Sequence, residues 1–344
     1  MPRLSDPSIV PQFRHDLLQW YDAHKRSLPW RDTHNPYHTW LSEIMLQQTT
    51  VATVKGYFQK FIDKWPSVQD LANAPLSEIM EAWAGLGYYA RARNLHACAQ
   101  EITRFYNGRF PDDYESLRKL KGVGDYTASA IMAIAFDRPA VVIDGNIDRI
   151  IARVFAVEMP LPLGKKDIRA HAEFLMKDQT DRAGDFAQAM MDLGATLCRP
   201  KSPLCHACPL QPYCKAYAKG DMESYPRKAV KKPRPERYGL CTIIENEQGE
   251  VLIHRRLHEK LLGKINGLPT SEWYDQPVSV PDRIGKISHI FTHFKLYLSV
   301  IYKKELKCNI DIGDDYFWHP RADIPTLGMA TLFKKAVLML DNMA

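Results

Sequence analysis

Four cysteines crowd into one short string, CRPKSPLCHACPLQPYC, as Cys198, Cys205, Cys208 and Cys214, with the spacing C-x6-C-x2-C-x5-C. Thiols so placed are candidate thiolate ligands for a metal. The seven cysteines of the chain are an odd number, and the start, MPRLSDPSIVPQF, is broken by Asp6, Pro7 and Pro11 where an export signal has its apolar core. A disulfide framework is therefore not expected. Zinc usually takes paired C-x2-C knuckles, whereas here a single knuckle sits between two longer arms. Four thiolates also suit a 4Fe–4S cluster, so the spacing leaves the metal open with a mild preference for iron–sulfur. Arg199, Lys201 and Lys215 interleave the ligands and suit either a phosphate backbone or an ordinary solvated loop.

A second string, LKGVGDYTASA, holds two glycines around a valine with Lys121 before them. A nucleotide loop needs a longer glycine-rich turn after a strand and ends in Gly-Lys-Ser/Thr. Here the preceding pattern is helical, which leaves a helix, a Gly-Val-Gly hairpin and a second helix. Such a turn aims backbone N–H groups at one phosphate without reading sequence. Two carboxylates stand in similarly defined strings, Glu43 in WLSEIMLQQT and Asp144 after the apolar AVVI. Taken alone, Glu43 reads as a surface acid and Asp144 as a helix cap.

The elements that must position these groups follow from periodicity. The 344 residues make room for about two domains, and 45% apolar with 25% charged residues is ordinary for a globular protein. No apolar run approaches the roughly 18 residues of a membrane span. A net charge of +6 permits a polyanionic partner without demanding one. Leu41, Ile44 and Met45, then Val51, Val54, Phe58, Phe61 and Ile62, recur at helical intervals on either side of the polar QQTT. Prolines and glycines punctuate the helix ends up to about Ala218, so this part is expected to be all-helical. From Gly220 the composition turns rich in Pro, Lys and Arg, as in a solvated linker. Beyond it the period becomes two: GLCTIIENEQGEVLIHRR reads as a hairpin, Phe294, Leu296, Leu298, Val300 and Tyr302 alternate, and a final amphipathic helix carries Leu332, Phe333, Ala336, Val337 and Leu340.

The hairpin string, followed by VIDGNIDR and then by the cysteine string, resembles the endonuclease-III-type superfamily of DNA glycosylases. LPWR (Leu28 to Arg31), WLSEIMLQQT (Trp40 to Thr49) and GLGYYARARNLH (Gly85 to His96) resemble the MutY-type adenine DNA glycosylases. The similarity covers nearly the whole chain. It implies a multidomain protein: an all-α helix-hairpin-helix glycosylase domain over 1–219, with one 4Fe–4S cluster in the loop 198–214; a linker over 220–236; and an α+β Nudix-like lesion-recognition domain over 237–344. It also implies base excision repair, with hydrolysis of adenine mispaired with 8-oxoguanine, and less readily with guanine, in double-stranded DNA. The expected form is a monomer in the bacterial cytoplasm, associated with the nucleoid through DNA and with no membrane partner.

By the same resemblance, Glu43 protonates the leaving adenine and helps activate water, while Asp144 stabilises, or transiently bonds to, the anomeric carbon. This is the two-carboxylate logic of glycoside hydrolysis. The roles call for Glu43 raised in pKa by an apolar enclosure and Asp144 kept ionised by hydrogen bonds, with Tyr126 and Asn146 as supports. Tyr126 stands where bifunctional relatives carry a Schiff-base lysine, which implies base removal without strand cleavage. Tyr88 and Gln48 are the expected wedges beside the lesion pair, and Trp30, Arg31 and Gln188 surround the extruded adenine. Lys121, Gly122, Val123 and Gly124 grip a DNA phosphate. In the second domain, Phe291, Thr292 and His293 of HIFTHFKL are the contacts to 8-oxoguanine, and no catalytic Nudix box lies between Gly267 and Lys286. Three positions depart from the family pattern: Lys121 stands for a usual proline, Thr292 for a usual serine, and LLGKINGLPTSEW lacks a common tryptophan. The alternatives are an endonuclease-III-like glycosylase/lyase for oxidised pyrimidines and a non-catalytic DNA-binding protein with a four-cysteine zinc site.

Overall fold

The computed structural model describes residues 7–31, 33–176, 180–229, 233–256, 261–263, 265–304, 314–325 and 327–341. Its helices are α1 (Val10–His24), α2 (Pro36–Leu46), α3 (Val51–Lys64), α4 (Val68–Asn73), α5 (Leu76–Ala82), α6 (Ala90–Tyr106), α7 (Tyr114–Lys119), α8 (Asp125–Ala130), α9 (Gly145–Phe155), α10 (Lys165–Met176), α11 (Ala183–Thr196), α12 (Lys215–Ala218) and α13 (Thr331–Asp341). The chain divides into two compact units, residues 1–73 with 94–230 and residues 74–93 with 231–344.

In the first unit the starts of the helices that carry the site are written in the sequence. Asn35 caps α2 through the Tyr37 amide, with Pro36 following, and Thr50 caps α3. The core gathers Phe13, Leu17 and Tyr21 of α1, Ile147, Ile150, Ile151 and Val154 of α9, and Phe186, Met190 and Leu193 of α11. The four buried aliphatics of α9 contribute about 2 kcal/mol each, as an upper estimate. α9 is thus the central strut of this unit. After α8 the chain runs on as a π-helical turn, Ile131–Ala135. Gly184 lets α11 start against that turn, because a Cβ there would stand 2.7 Å from the Ala133 carbonyl oxygen.

The first unit also keeps residues that composition assigns to the linker. Tyr225 is 1% exposed in its core. The Leu161 amide donates to the Arg227 carbonyl at 2.8 Å, and the Ala229 amide donates to the Leu161 carbonyl at 3.2 Å. Glu158 accepts from Tyr225, from Lys219 at 2.9 Å and from Arg227 at 3.2 Å. A Pro- and Lys-rich stretch looks solvated, yet one aromatic anchor and a short backbone pairing dock residues 220–229; residues 230–232 lie outside the described residues.

The second unit is built on a mixed sheet of β1 (Glu236–Glu245), β2 (Glu250–Arg255), β3 (Asn266–Gly267), β4 (Arg283–Ile290), β5 (Lys295–Lys304) and β6 (Tyr316–Pro320). The order is β3-β2-β1-β5-β4, with β6 also paired to β2; β1 and β5 run parallel and the other pairs antiparallel. The expected β1–β2 hairpin forms. The Asn246 side chain accepts from the Gln248 and Glu250 amides, and Gly249 supplies φ +77°. Leu296, Leu298 and Val300 point into the core, as do Leu332, Phe333 and Ala336 of α13. A Cβ on Gly267 would stand 2.6 Å from the Phe333 ring, so bare backbone at the sheet edge lets α13 pack closely.

Candidate active site

Helix α2 carries Glu43 inward, where it is 5% exposed. The Tyr126 hydroxyl of α8 donates a hydrogen bond to its Oε2 at 2.6 Å. Burial pushes Glu43 up to about 7; the Tyr126 bond opposes this, the Asp144 charge adds to it, and Arg31 opposes it. The acid that reads as a surface residue in isolation is thus an enclosed carboxyl poised to donate a proton near neutral pH.

Asp144 is a helix cap that also lies within electrostatic reach of Glu43. It caps α9, accepting from the Ile147 amide at 2.7 Å, and it accepts from Asn146 Nδ2 at 3.0 Å. Burial raises its carboxyl, while the bonds from the Ile147 amide and from Asn146 and the Arg149 charge oppose that rise. Asn146 is itself fixed: its Oδ1 accepts from Arg149 Nη2 at 2.9 Å, and Arg149 donates onward to the carbonyls of Gly194 at 2.7 Å and Cys198 at 2.7 Å. Gly194 permits this approach, since a Cβ there would stand 2.5 Å from Asn146 Cβ. Arg149 lies inside VIDGNIDR, five residues after Asp144, and was not singled out from the sequence.

Trp30, Arg31 and Gln188 line one cavity of about 40 Å³ with Glu43, together with Leu46, Val51 and Ile134. Trp30 is held edge-on to Phe58 with ring centroids 5.4 Å apart, and Gln188 Nε2 donates to the Gly184 carbonyl at 3.3 Å. Arg31 makes a bidentate pair with Asp192, 2.6 Å to each carboxylate oxygen. Arg26 joins them, with its amide 3.0 Å and its Nε 2.7 Å from the same carboxylate. Asp192 was also missed; the available signal was a lone acid in the apolar run FAQAMMDLGAT. Burial alone would raise the Asp192 carboxyl, but its bonds to Arg31 and Arg26 hold it below the usual range.

Gln48 does not line this cavity, and Tyr88 belongs to the second unit. Each is a non-glycine residue in the left-handed region, at φ +60° and +47°. Tyr88 is 54% exposed, under the Arg91 guanidinium at 5.6 Å. Such backbone is uncommon and clusters at functional positions. Between α7 and α8, Gly122 takes φ +77°, where a Cβ would stand 2.8 Å from Asn94 Cβ. Val123 is buried, while Lys121, Gly122 and Gly124 are exposed. The Lys121 amide is held by Glu101 at 2.8 Å, and the Val123 carbonyl accepts from Arg118 at 2.7 Å.

The four cysteines of the metal string line one apolar cavity of about 30 Å³ with Ile150, Val154, Leu193 and Leu204. Burial and the neighbouring thiols push Cys208 up to about 12, and burial likewise lifts Cys214 to about 11. Thiols so enclosed become thiolates only opposite positive charge, which is the donor chemistry of a metal group. Arg153, 1% exposed, donates to Cys198 Sγ at 3.3 Å and to the Arg199, Pro200 and Met222 carbonyls. Among the described residues, no three His, Cys, Asp or Glu side chains form a site for a single ion. Arg199, Lys201 and Lys215 are exposed or half-buried at the rim of the loop. In the second unit, Phe291, Thr292 and His293 form the turn from β4 to β5. Thr292 and His293 are exposed, whereas Phe291 is half-buried against Phe294 at 4.9 Å and Trp273 at 6.0 Å.

Residues 41–175 match the HhH-GPD superfamily of base excision DNA repair proteins, and residues 240–339 match the NUDIX domain. The class is therefore that of helix-hairpin-helix DNA glycosylases, hydrolases acting on N-glycosyl bonds, with a Nudix-like domain appended. The chain is 34% identical to the adenine DNA glycosylase of Mus musculus over 86% of this chain and 71% of that protein. It is 31% identical to that of Buchnera aphidicola subsp. Baizongia pistaciae over 96% and 97%. It belongs to the adenine DNA glycosylase family. Among solved structures, a thermostable thymine-DNA glycosylase is 30% identical with a TM-score of 0.55 over 62% of this chain and 98% of its own. An endonuclease III trapped on DNA shares the fold at 24% identity, TM-score 0.51, over 61% and 98%. Among the described residues no helix is long and apolar enough to cross a membrane.

Proposed function

We propose that the chain hydrolyses adenine from A:8-oxoguanine mispairs, and less readily from A:G, in double-stranded DNA, without cutting the strand. The observation that carries the reading is the enclosed Glu43, hydrogen-bonded by Tyr126 and raised by burial to about 7, beside the capped Asp144. Glu43 delivers its proton to the departing base. Asp144 faces the positive charge that develops on the sugar, oriented by the Ile147 amide and Asn146. Glu43, now ionised, accepts a proton from the incoming water. Tyr126 cannot serve as an amine nucleophile, which favours base removal alone.

The remaining assignments rest on this reading. Trp30, Arg31 and Gln188 enclose the extruded base; Gln48 and Tyr88 fill the gap it leaves, where stacking returns about 1–3 kcal/mol; Lys121 to Gly124 hold a phosphate; and Phe291, Thr292 and His293 meet 8-oxoguanine. Cys198, Cys205, Cys208 and Cys214 would hold one 4Fe–4S cluster, which ties the loop together so that Arg199, Lys201 and Lys215 present one cationic face. Single-turnover assays on duplexes with A:8-oxoguanine, A:G and thymine glycol test the proposal. Adenine excision fastest opposite 8-oxoguanine, lost in Glu43→Gln, is expected; thymine glycol release or efficient borohydride trapping would overturn it. Iron and sulfide analysis tests the cluster.

A further inference from the structure

We propose that Asp192 is a positioning residue for base excision, setting how much of the Arg31 charge reaches Glu43. The inference rests on Glu43 being the proton donor. Arg31 and Glu43 line the same cavity, and Asp192 closes on Arg31 from behind, with a wholly buried side chain and both oxygens engaged at 2.6 Å. Arg26, whose side chain is 28% exposed, shares the carboxylate, so two guanidinium groups meet one carboxylate. The Arg31 guanidinium also lies 5.9 Å from the Tyr21 ring centroid, which fixes it from a second side.

The charged and titratable groups that face Glu43 are Tyr126 from α8, Asp144 at the start of α9, and Arg31 from the segment before α2, backed by Asp192 from α11. Arg31 works against the protonated acid and Asp144 works for it. With Asp192 in place half of the paired guanidinium charge is cancelled, and the Arg31 guanidinium is still held where it can hydrogen-bond a base. Without Asp192 the Arg31 and Arg26 guanidinium groups lose the carboxylate they share, and an adjacent cation moves a carboxyl by about one pH unit or more.

The test is the single-turnover rate of adenine excision from an A:8-oxoguanine duplex between pH 5.5 and 9 in wild type, Asp192→Asn and Arg26→Gln. Wild type should lose activity as pH rises through about 7, the limb set by deprotonation of Glu43. In Asp192→Asn the limb moves down by about one pH unit, so the rate at pH 8 falls about tenfold further than the rate at pH 5.5. In Arg26→Gln the group loses one positive charge and the limb moves up. A damaged fold would lower every point alike without moving the limb. If Asp192→Asn does not fold, Arg26→Gln decides alone. An unmoved limb in the folded variants overturns the proposal, whereas absence of a limb in wild type, or full activity of Glu43→Gln, overturns the reading it rests on.

Discussion

An enclosed carboxyl weakens the fold that encloses it, and the size of that penalty at Glu43 follows from its shift. Burial moves the group from 4.5 to about 7, and each tenfold change in proton affinity is worth about 1.4 kcal/mol. A carboxyl with a folded pKa above its unfolded one costs nothing below the unfolded value. The penalty grows from pH 4.5 to about 7 and then levels. At pH 8 it reaches ~3 kcal/mol, and at pH 5 it is under ~1 kcal/mol. Glu43→Gln removes the titration while keeping an oxygen to accept from Tyr126, so the variant should gain on wild type by about 2–3 kcal/mol between those pH values. Urea unfolding of both proteins at pH 5 and pH 8, followed by helical circular dichroism, measures the difference. A gap between variant and wild type that is the same at both pH values would refute an elevated Glu43, whatever the variant does to activity.

Asp144→Asn should keep the cap, because Asn serves nearly as well there, so stability changes by no more than about 1 kcal/mol while single-turnover excision falls by orders of magnitude. Arg153→Met strands the Arg199, Pro200 and Met222 carbonyls and the Cys198 sulfur, and should cost about 3 kcal/mol by thermal unfolding together with iron content.

What was legible in the sequence was local. The QQTT break, the Gly-Val-Gly turn and the period-two strands each carry their own signal within a few residues. The carboxylates at 43 and 144 were legible only through the strings around them, since neither position has an intrinsic mark; burial, which raises the Glu43 carboxyl, is a property of the folded packing. Asp192 and Arg149 escaped because their partners lie far along the chain: Arg31 is 161 positions from Asp192, and Cys198 is 49 from Arg149. Residues 220–229 misled because composition reports average solvation, whereas Tyr225 and the backbone pairing with Leu161 dock them.

Gly194 gives α11 a peculiar liability. Its missing side chain is the clearance through which Asn146 stands against Asp144, and its carbonyl is one of the anchors of Arg149. A single added methyl group would act as a wedge between two helices and, through Asn146, turn the carboxylate away from its substrate. In a stability assay the change would look like a modest packing fault, and in a kinetic assay like an active-site lesion. Position 194 is therefore where a silent-looking glycine change would convert a folded protein that still grips DNA into one that cannot release the base.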